Sequence, residues 1–135
     1  MLTQVLTLIV WTFVMWFWMY ATRLPAMARA KLNVRIVTRA DMQSLPDSAT
    51  RVADNYNHLH EQPTLFYALA FYTHLAALSD VSNVRLAWAY VALRIAHSLV
   101  QATFNFVPLR FTLFVLASGA LMSIAVRDVL KLCCH

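Results

Sequence analysis

The sequence predicts an all-α integral membrane protein, a bundle of four transmembrane helices forming a single domain. Three observations predict it. Hydrophobic residues make up 61% of the 135-residue chain and charged residues only 13%, against about 25% charged in average soluble domains. The apolar residues come in long runs rather than in the alternation of a transmembrane β-barrel. The polar residues collect in short connections and in two narrow stripes. A soluble globule of this size would need far more polar side chains to cover its surface, and a mean hydropathy of +0.59 excludes a disordered chain. Four crossings of about 20 residues each leave no length for a soluble catalytic domain. Any site must be built from the helices and their connections.

The first span, residues 2–22, carries no charge. It lacks the cationic start and small-residue cleavage site of a signal peptide, so it reads as a retained span. Trp16, Trp18 and Tyr20 gather near its end, where an aromatic belt meets the lipid headgroups. Arg23 closes it, although Leu24 to Ala30 can carry the helix onward. Residues 23–48 form the one long polar connection, in which Arg23, Arg29, Lys31, Arg35 and Arg39, with Arg51 just beyond, face only Asp41 and Asp47. Leu45-Pro46-Asp47-Ser48 interrupts any helix there, and Ser48 is the expected N-cap of the second helix.

The second span, 49–78, contains Pro63. A polar turn from Ser79 to Asn83 leads to the third span, 84–106, and Pro108 is placed to begin the fourth, 109–130. Arg110 lies on the same side as the basic connection, whereas Arg85, Arg127 and Lys131 lie on the other. The positive-inside rule then puts the first and third connections in the cytoplasm and both termini outside. Helix-end cations account for the pI of 9.7, so nucleic acid is not an expected partner. Cys133, Cys134 and His135 read as a frayed tail. Adjacent cysteines bridge each other only with strain, and no metal site is expected.

Ionisable side chains in the hydrocarbon cost about 2.5–3.5 kcal/mol each, so each one needs a reason. Arg51, Asp54, Asn55, His58, Glu61 and Gln62 recur at steps of three and four along the second span, which puts them on one helix face. Tyr90, Arg94, His97, Ser98, Gln101 and Asn105 do the same on the third. Stripes on consecutive antiparallel helices face each other. A Glu61–Arg94 ion pair that merely staples the bundle would account for two of these residues. The whole set instead fits a wet site for a polar, net-anionic ligand entering from the cytoplasmic side. His58, His74 and His97 also raise a b-type haem, but the surrounding Arg, Glu and Asn are too polar for a typical haem pocket.

At these two stripes the sequence resembles the MAPEG family, the membrane-associated proteins of eicosanoid and glutathione metabolism. The stretch Arg51-Val-Ala-Asp-Asn-Tyr-Asn-His-Leu-His-Glu61-Gln-Pro63-Thr-Leu-Phe66 resembles the family's second-helix signature. Tyr90-Val-Ala-Leu-Arg94-Ile-Ala-His97, through Asn105 and Arg110, resembles its third-helix signature. The tract Trp-Ala-Tyr-Val-Ala-Leu-Arg is similar to bacterial members in particular, which implies a bacterial inner membrane.

The resemblance implies a homotrimer that binds glutathione between subunits near the cytoplasmic face. It implies that Glu61 holds the glutathione amino end and pairs with Arg94, that His97 lines the site, and that Arg110 stabilises the thiolate as the catalytic residue. Arg51, Asn55, His58, Gln101 and Arg29 complete the implied glutathione-binding set. Three positions depart from the family pattern: His58 stands for an asparagine, Gln101 for a tyrosine, and Phe111 for the serine of the prostaglandin branch. The implied function is a glutathione-dependent transferase or peroxidase, with glutathione as co-substrate, acting on small lipophilic electrophiles or hydroperoxides dissolved in membrane lipid. The alternative is a non-enzymatic membrane scaffold or accessory subunit of the same fold, binding lipid or partner helices.

Overall fold

A computed structural model describes residues 1–134. These residues are all-helical: α1 (Leu2–Arg29), α2 (Arg39–Gln43), α3 (Asp47–His58), α4 (Gln62–Leu75), α5 (Val81–Ala102) and α6 (Val107–Cys133). Cys133 and Cys134 are exposed, but Cys133 is the last residue of α6 and Cys134 its C-cap rather than a frayed tail; His135 lies outside the described residues. Helices α1 and α6 are long and apolar enough to cross a membrane. Their outward faces carry Phe13, Phe17, Phe111 and Met122, each at least 60% exposed, an apolar belt that suits lipid far better than water.

The first helix runs well past Arg23, through Pro25, before it stops. Its end is a left-handed cap. Lys31 has φ 52°, the Lys31 amide donates to the Ala28 carbonyl, and the Leu32 amide donates to the Met27 carbonyl. This is the Schellman arrangement, in which glycine is the usual left-handed residue. Leu32 then packs with Met27, Ala26, Leu45 and Ala49 in a small core under the basic connection. Within that connection lies α2, which the sequence did not reveal. Thr38 and Asp41 cap it reciprocally, and the bonds from Thr38 hold the Asp41 carboxyl below its ordinary value. Ser48 is not a cap: α3 begins two residues earlier than such a cap implies, with Pro46 in the capping position.

The second expected span is divided into two helices. Pro63 has no amide hydrogen to donate to the Leu59 carbonyl, and its ring crowds that oxygen. Helix α3 therefore ends at His58, and α4 restarts at Gln62 with Pro63 in its first turn. Glu61 occupies the break as the N-cap of α4, with φ −91° and ψ −94°. The predicted stripe is thus a stripe across a break. Beyond it, α5 is capped by the Asp80 carboxylate, which accepts from the Asn83 amide at 2.7 Å. Pro108 sits in the first turn of α6, as its position predicts.

Three cores stack along the bundle. Leu8, Phe66, Tyr90, Val91 and Ile124 join α1, α4, α5 and α6, with the Phe66 and Tyr90 rings stacked at 4.5 Å. Met15, Met19, Val52, Leu59 and Ala102 join α1, α3 and α5 around the break. The third core is the one beneath the connection.

Candidate functional site

The break between α3 and α4 presents its polar groups to α5 and to the start of α6. Arg94 is 1% exposed, and its Nη2 donates to the His58 carbonyl at 3.0 Å. That carbonyl lies at the C-terminal end of α3, where oxygens lack helical partners and a cation is favourable. Among the described residues the other two guanidinium nitrogens of Arg94 have no partner, and neither does the Tyr90 hydroxyl. Glu61 does not reach them. Its carboxylate pairs instead with His58 Nδ1 at 3.1 Å, with side chains 68% and 42% exposed respectively. The expected Glu61–Arg94 ion pair is therefore absent, because the break turns Glu61 outward while Arg94 points into the bundle.

His97 is buried and bonded on both sides. Its Nδ1 lies 3.0 Å from the Arg110 carbonyl and its Nε2 lies 3.2 Å from Gln101 Oε1. A neutral ring that donates from Nδ1 needs a donor at Nε2, which the Gln101 amide supplies when rotated by half a turn. Both ring nitrogens are thus engaged by the protein, and none is left for a haem iron. Asn55, also buried, donates to Ser98 Oγ at 2.6 Å and ties α3 to α5.

Arg110 stands in the first turn of α6 and donates from Nη1 to Asn105 Oδ1 at 2.7 Å. Asn105 is left-handed, with φ 50°, a conformation that asparagine tolerates better than most residues. His58, His97 and Arg110 then line one cleft of about 190 Å³ with Val107, Phe111 and Phe114. The Arg110 guanidinium meets an aromatic wall there, so the cleft can attract an anion and hold an apolar group beside it.

Not every expected residue joins this cleft. Arg51 donates from Nε to the Asp47 carbonyl of its own helix at 3.2 Å. Arg29 is exposed at the end of α1, in a separate cleft with Pro46 and Ser48. Asn55 and Arg94 lie behind the cleft, inside the bundle.

A model of the MAPEG family matches residues 1–130 of this chain. The chain belongs to the MAPEG family. No curated protein and no solved structure matches it. The family match covers both stripes and all six helices nearly to the end of α6.

A second polar cluster, at the opposite end of the bundle, escaped the sequence reading. Asp128 on α6 is 2% exposed and accepts from Thr73 Oγ1 on α4 and from Asn83 Nδ2 on α5. Arg127 reaches Asn83 Oδ1 at 2.9 Å and Asp80 Oδ2 at 2.7 Å. Lys131 donates to the Leu78 carbonyl and lies 3.0 Å from Asp80. The Asn83 amide, then Lys131 and Arg127, hold the Asp80 carboxyl down at about 2. The available signal was Asp128 itself, an acidic residue inside an expected span that had to find partners.

Proposed function

We propose that this MAPEG chain is a glutathione-dependent membrane transferase or peroxidase acting on lipophilic electrophiles or hydroperoxides. The observation that carries the reading is the cleft in which Arg110, His97 and His58 converge beside Phe111 and Phe114. Glutathione is a flexible anion with a thiol of ordinarily high pKa. A guanidinium beside the sulfur favours the thiolate, which is the nucleophile. Arg110 has this role. Its own orientation is set by Asn105, and its backbone carbonyl is tied to His97. The sulfur of the thiolate attacks an electrophilic carbon of the lipophilic partner and expels its leaving group as an anion. With a hydroperoxide it attacks the terminal oxygen, breaking the O–O bond and expelling an alkoxide that takes up a proton. The resulting sulfenic acid is reduced by a second glutathione to the disulfide and water. The aromatic wall gives the apolar substrate a place beside the sulfur, reached through the bilayer.

The thiol needs more room than one chain offers. A cleft of about 190 Å³ falls below the roughly 300–1,000 Å³ of ordinary small-molecule sites. We infer that a homotrimer completes it, with neighbouring subunits adding the missing wall and Glu61, Arg51 and Arg29 turned toward the tripeptide. We read the chain as four spans, about 2–22, 49–78, 84–106 and 109–130, in a bacterial inner membrane with this end of the bundle toward the cytoplasm, an orientation that the excess of Arg and Lys in the first connection supports.

The test is a glutathione titration of the purified protein followed by thermal shift, with Arg110→Ala beside it. Stabilisation by glutathione in both, with conjugation of an aromatic electrophile lost only in Arg110→Ala, supports the reading. No stabilisation of the wild type favours the non-enzymatic scaffold instead.

A further inference from the structure

The basic connection folds back over the end of α1 and makes a cleft of its own. Arg23 from α1, Arg39 from α2, and Thr50, Asp54 and Asn57 from α3 line a space of about 140 Å³. Neither arginine belongs to an ion pair among the described residues. The arginine side chains that hydrogen-bond to protein are others, those of Arg51, Arg94, Arg110 and Arg127. Two guanidinium groups from different helices therefore face one small polar space with their donors uncommitted, and a carboxylate stands in the same wall.

The position of this cleft along α1 narrows the choice of occupant. The charge-free run from Leu2 to Thr22 rises about 31 Å at ~1.5 Å per residue, matching the ~30 Å hydrocarbon core. Arg23 is the first charge after it, so the cleft lies at the level of the lipid phosphates. Leu24, 57% exposed beside Arg23, continues the apolar surface to its edge. The space is too small for a tripeptide but admits a headgroup whose tails stay in the bilayer.

We propose that this cleft is a phospholipid headgroup site selective for an aminoethyl phosphodiester, as in phosphatidylethanolamine. The phosphate sits between Arg23 and Arg39, since guanidinium forks match phosphate oxygens. The primary ammonium donates to Asp54, a contact that a quaternary ammonium cannot make and that an uncharged glycerol headgroup makes only weakly. The carboxylate is what separates this site from a general attraction of basic loops to anionic membranes, which would favour phosphatidylglycerol. The proposal rests on the membrane-embedded reading alone and not on the thiol chemistry.

The full chain, delipidated in mild detergent, is exposed to equal amounts of phosphatidylethanolamine, phosphatidylglycerol and phosphatidylcholine and read by native mass spectrometry. Phosphatidylethanolamine is retained above the other two. Arg23→Gln and Arg39→Gln each lower its retention about 10-fold, the weight of one lost charge-assisted bond. Arg23→Lys and Arg39→Lys keep most of it, which separates lost binding from lost folding. Asp54→Asn still binds lipid but no longer ranks phosphatidylethanolamine first. Unchanged retention in both glutamine variants overturns the site, and an ethanolamine preference that survives in Asp54→Asn overturns the selectivity. Displacement of the lipid by soluble phosphoethanolamine overturns the bilayer as its source.

Discussion

At one end of the bundle Asp128 is 2% exposed and both of its oxygens are bonded, by Thr73 and Asn83. At the other end Arg94 is 1% exposed and, among the described residues, only one of its three guanidinium nitrogens is bonded, to a carbonyl. Both are ionisable groups hidden from solvent, and their surroundings differ in kind. The Asp128 end is a closed account of donors and acceptors: Asp80, Asn83, Arg127 and Lys131 use one another, and α4, α5 and α6 are fastened together as a result. The Arg94 end leaves guanidinium and hydroxyl groups unpartnered, keeps the Glu61–His58 pair exposed, and opens a cleft at Arg110. A polar group that is fully satisfied holds the fold. One that is left short, as Arg94 is behind the cleft, holds it less.

The contrast makes its largest prediction at the closed end. Asp128→Ala strips partners from Thr73 and Asn83 and should destabilise the detergent-solubilised protein by about 3 kcal/mol, because bonds to a charged acceptor are lost and their donors stay buried. Arg94→Leu should change stability by no more than about 1 kcal/mol, since an under-satisfied buried charge is replaced by a well-packing side chain. Urea unfolding of the two variants measures both. Equal losses would break the comparison by showing that Arg94 is as structural as Asp128.

Most of the helical architecture was legible in the sequence because long uncharged runs and punctuating prolines carry it. The left-handed caps were less so. They use Lys31, Ala77 and Asn105, while the one glycine of the chain lies inside α6. The residues of the site were legible as stripes, but not their pairing. The facing stripes and the family resemblance paired Glu61 with Arg94 on the premise of an unbroken second helix. Pro63 breaks that helix at Glu61, whose carboxylate pairs with His58 instead. The Asp80–Asp128 cluster was illegible for a different reason. Its members are scattered over the ends of three helices and follow no stripe, so only three-dimensional packing brings them together.

The second prediction belongs to the open end. Arg110→Ala should lower kcat for conjugation by about 100-fold, the usual weight of one lost electrostatic donor, with a smaller change in glutathione affinity because other cations remain. The ultraviolet absorbance of the bound thiolate should appear near neutral pH in the wild type and move to higher pH in the variant. Asp128→Leu, assayed below its melting temperature, should leave that absorbance in place. A thiolate signal that ignores Arg110 would remove the catalytic assignment and leave the fold intact.

Acid should separate the two ends next. The Asp80 carboxyl is held at about 2 against an ordinary 3.8, chiefly by the Asn83 amide. A depressed carboxyl contributes stability that is fully present above its unfolded value and is lost as pH falls through the folded one. Melting temperature of the wild type should therefore fall between about pH 4 and pH 2. Asp80→Asn should start lower at pH 7 and show a shallower fall over the same window. An equally steep acid limb in the variant would assign the loss to other carboxylates.

The smallest expected effect compares two left-handed residues, one at each end. Ala77, φ 55°, closes α4 beside the closed cluster, and its side chain has no polar function. Asn105, φ 50°, has the same backbone strain but its carboxamide oxygen holds Arg110. Glycine relieves the strain at either position, by about 1 kcal/mol where nothing else is lost. Ala77→Gly should therefore raise the melting temperature and leave the thiolate titration unchanged. Asn105→Gly should gain less stability, because the bond to Arg110 goes with the side chain, and the freed guanidinium should let the thiolate titration drift upward. If both variants gained alike and neither moved the titration, Asn105 would be a cap and nothing more, and the orientation of Arg110 would have to come from the cleft wall.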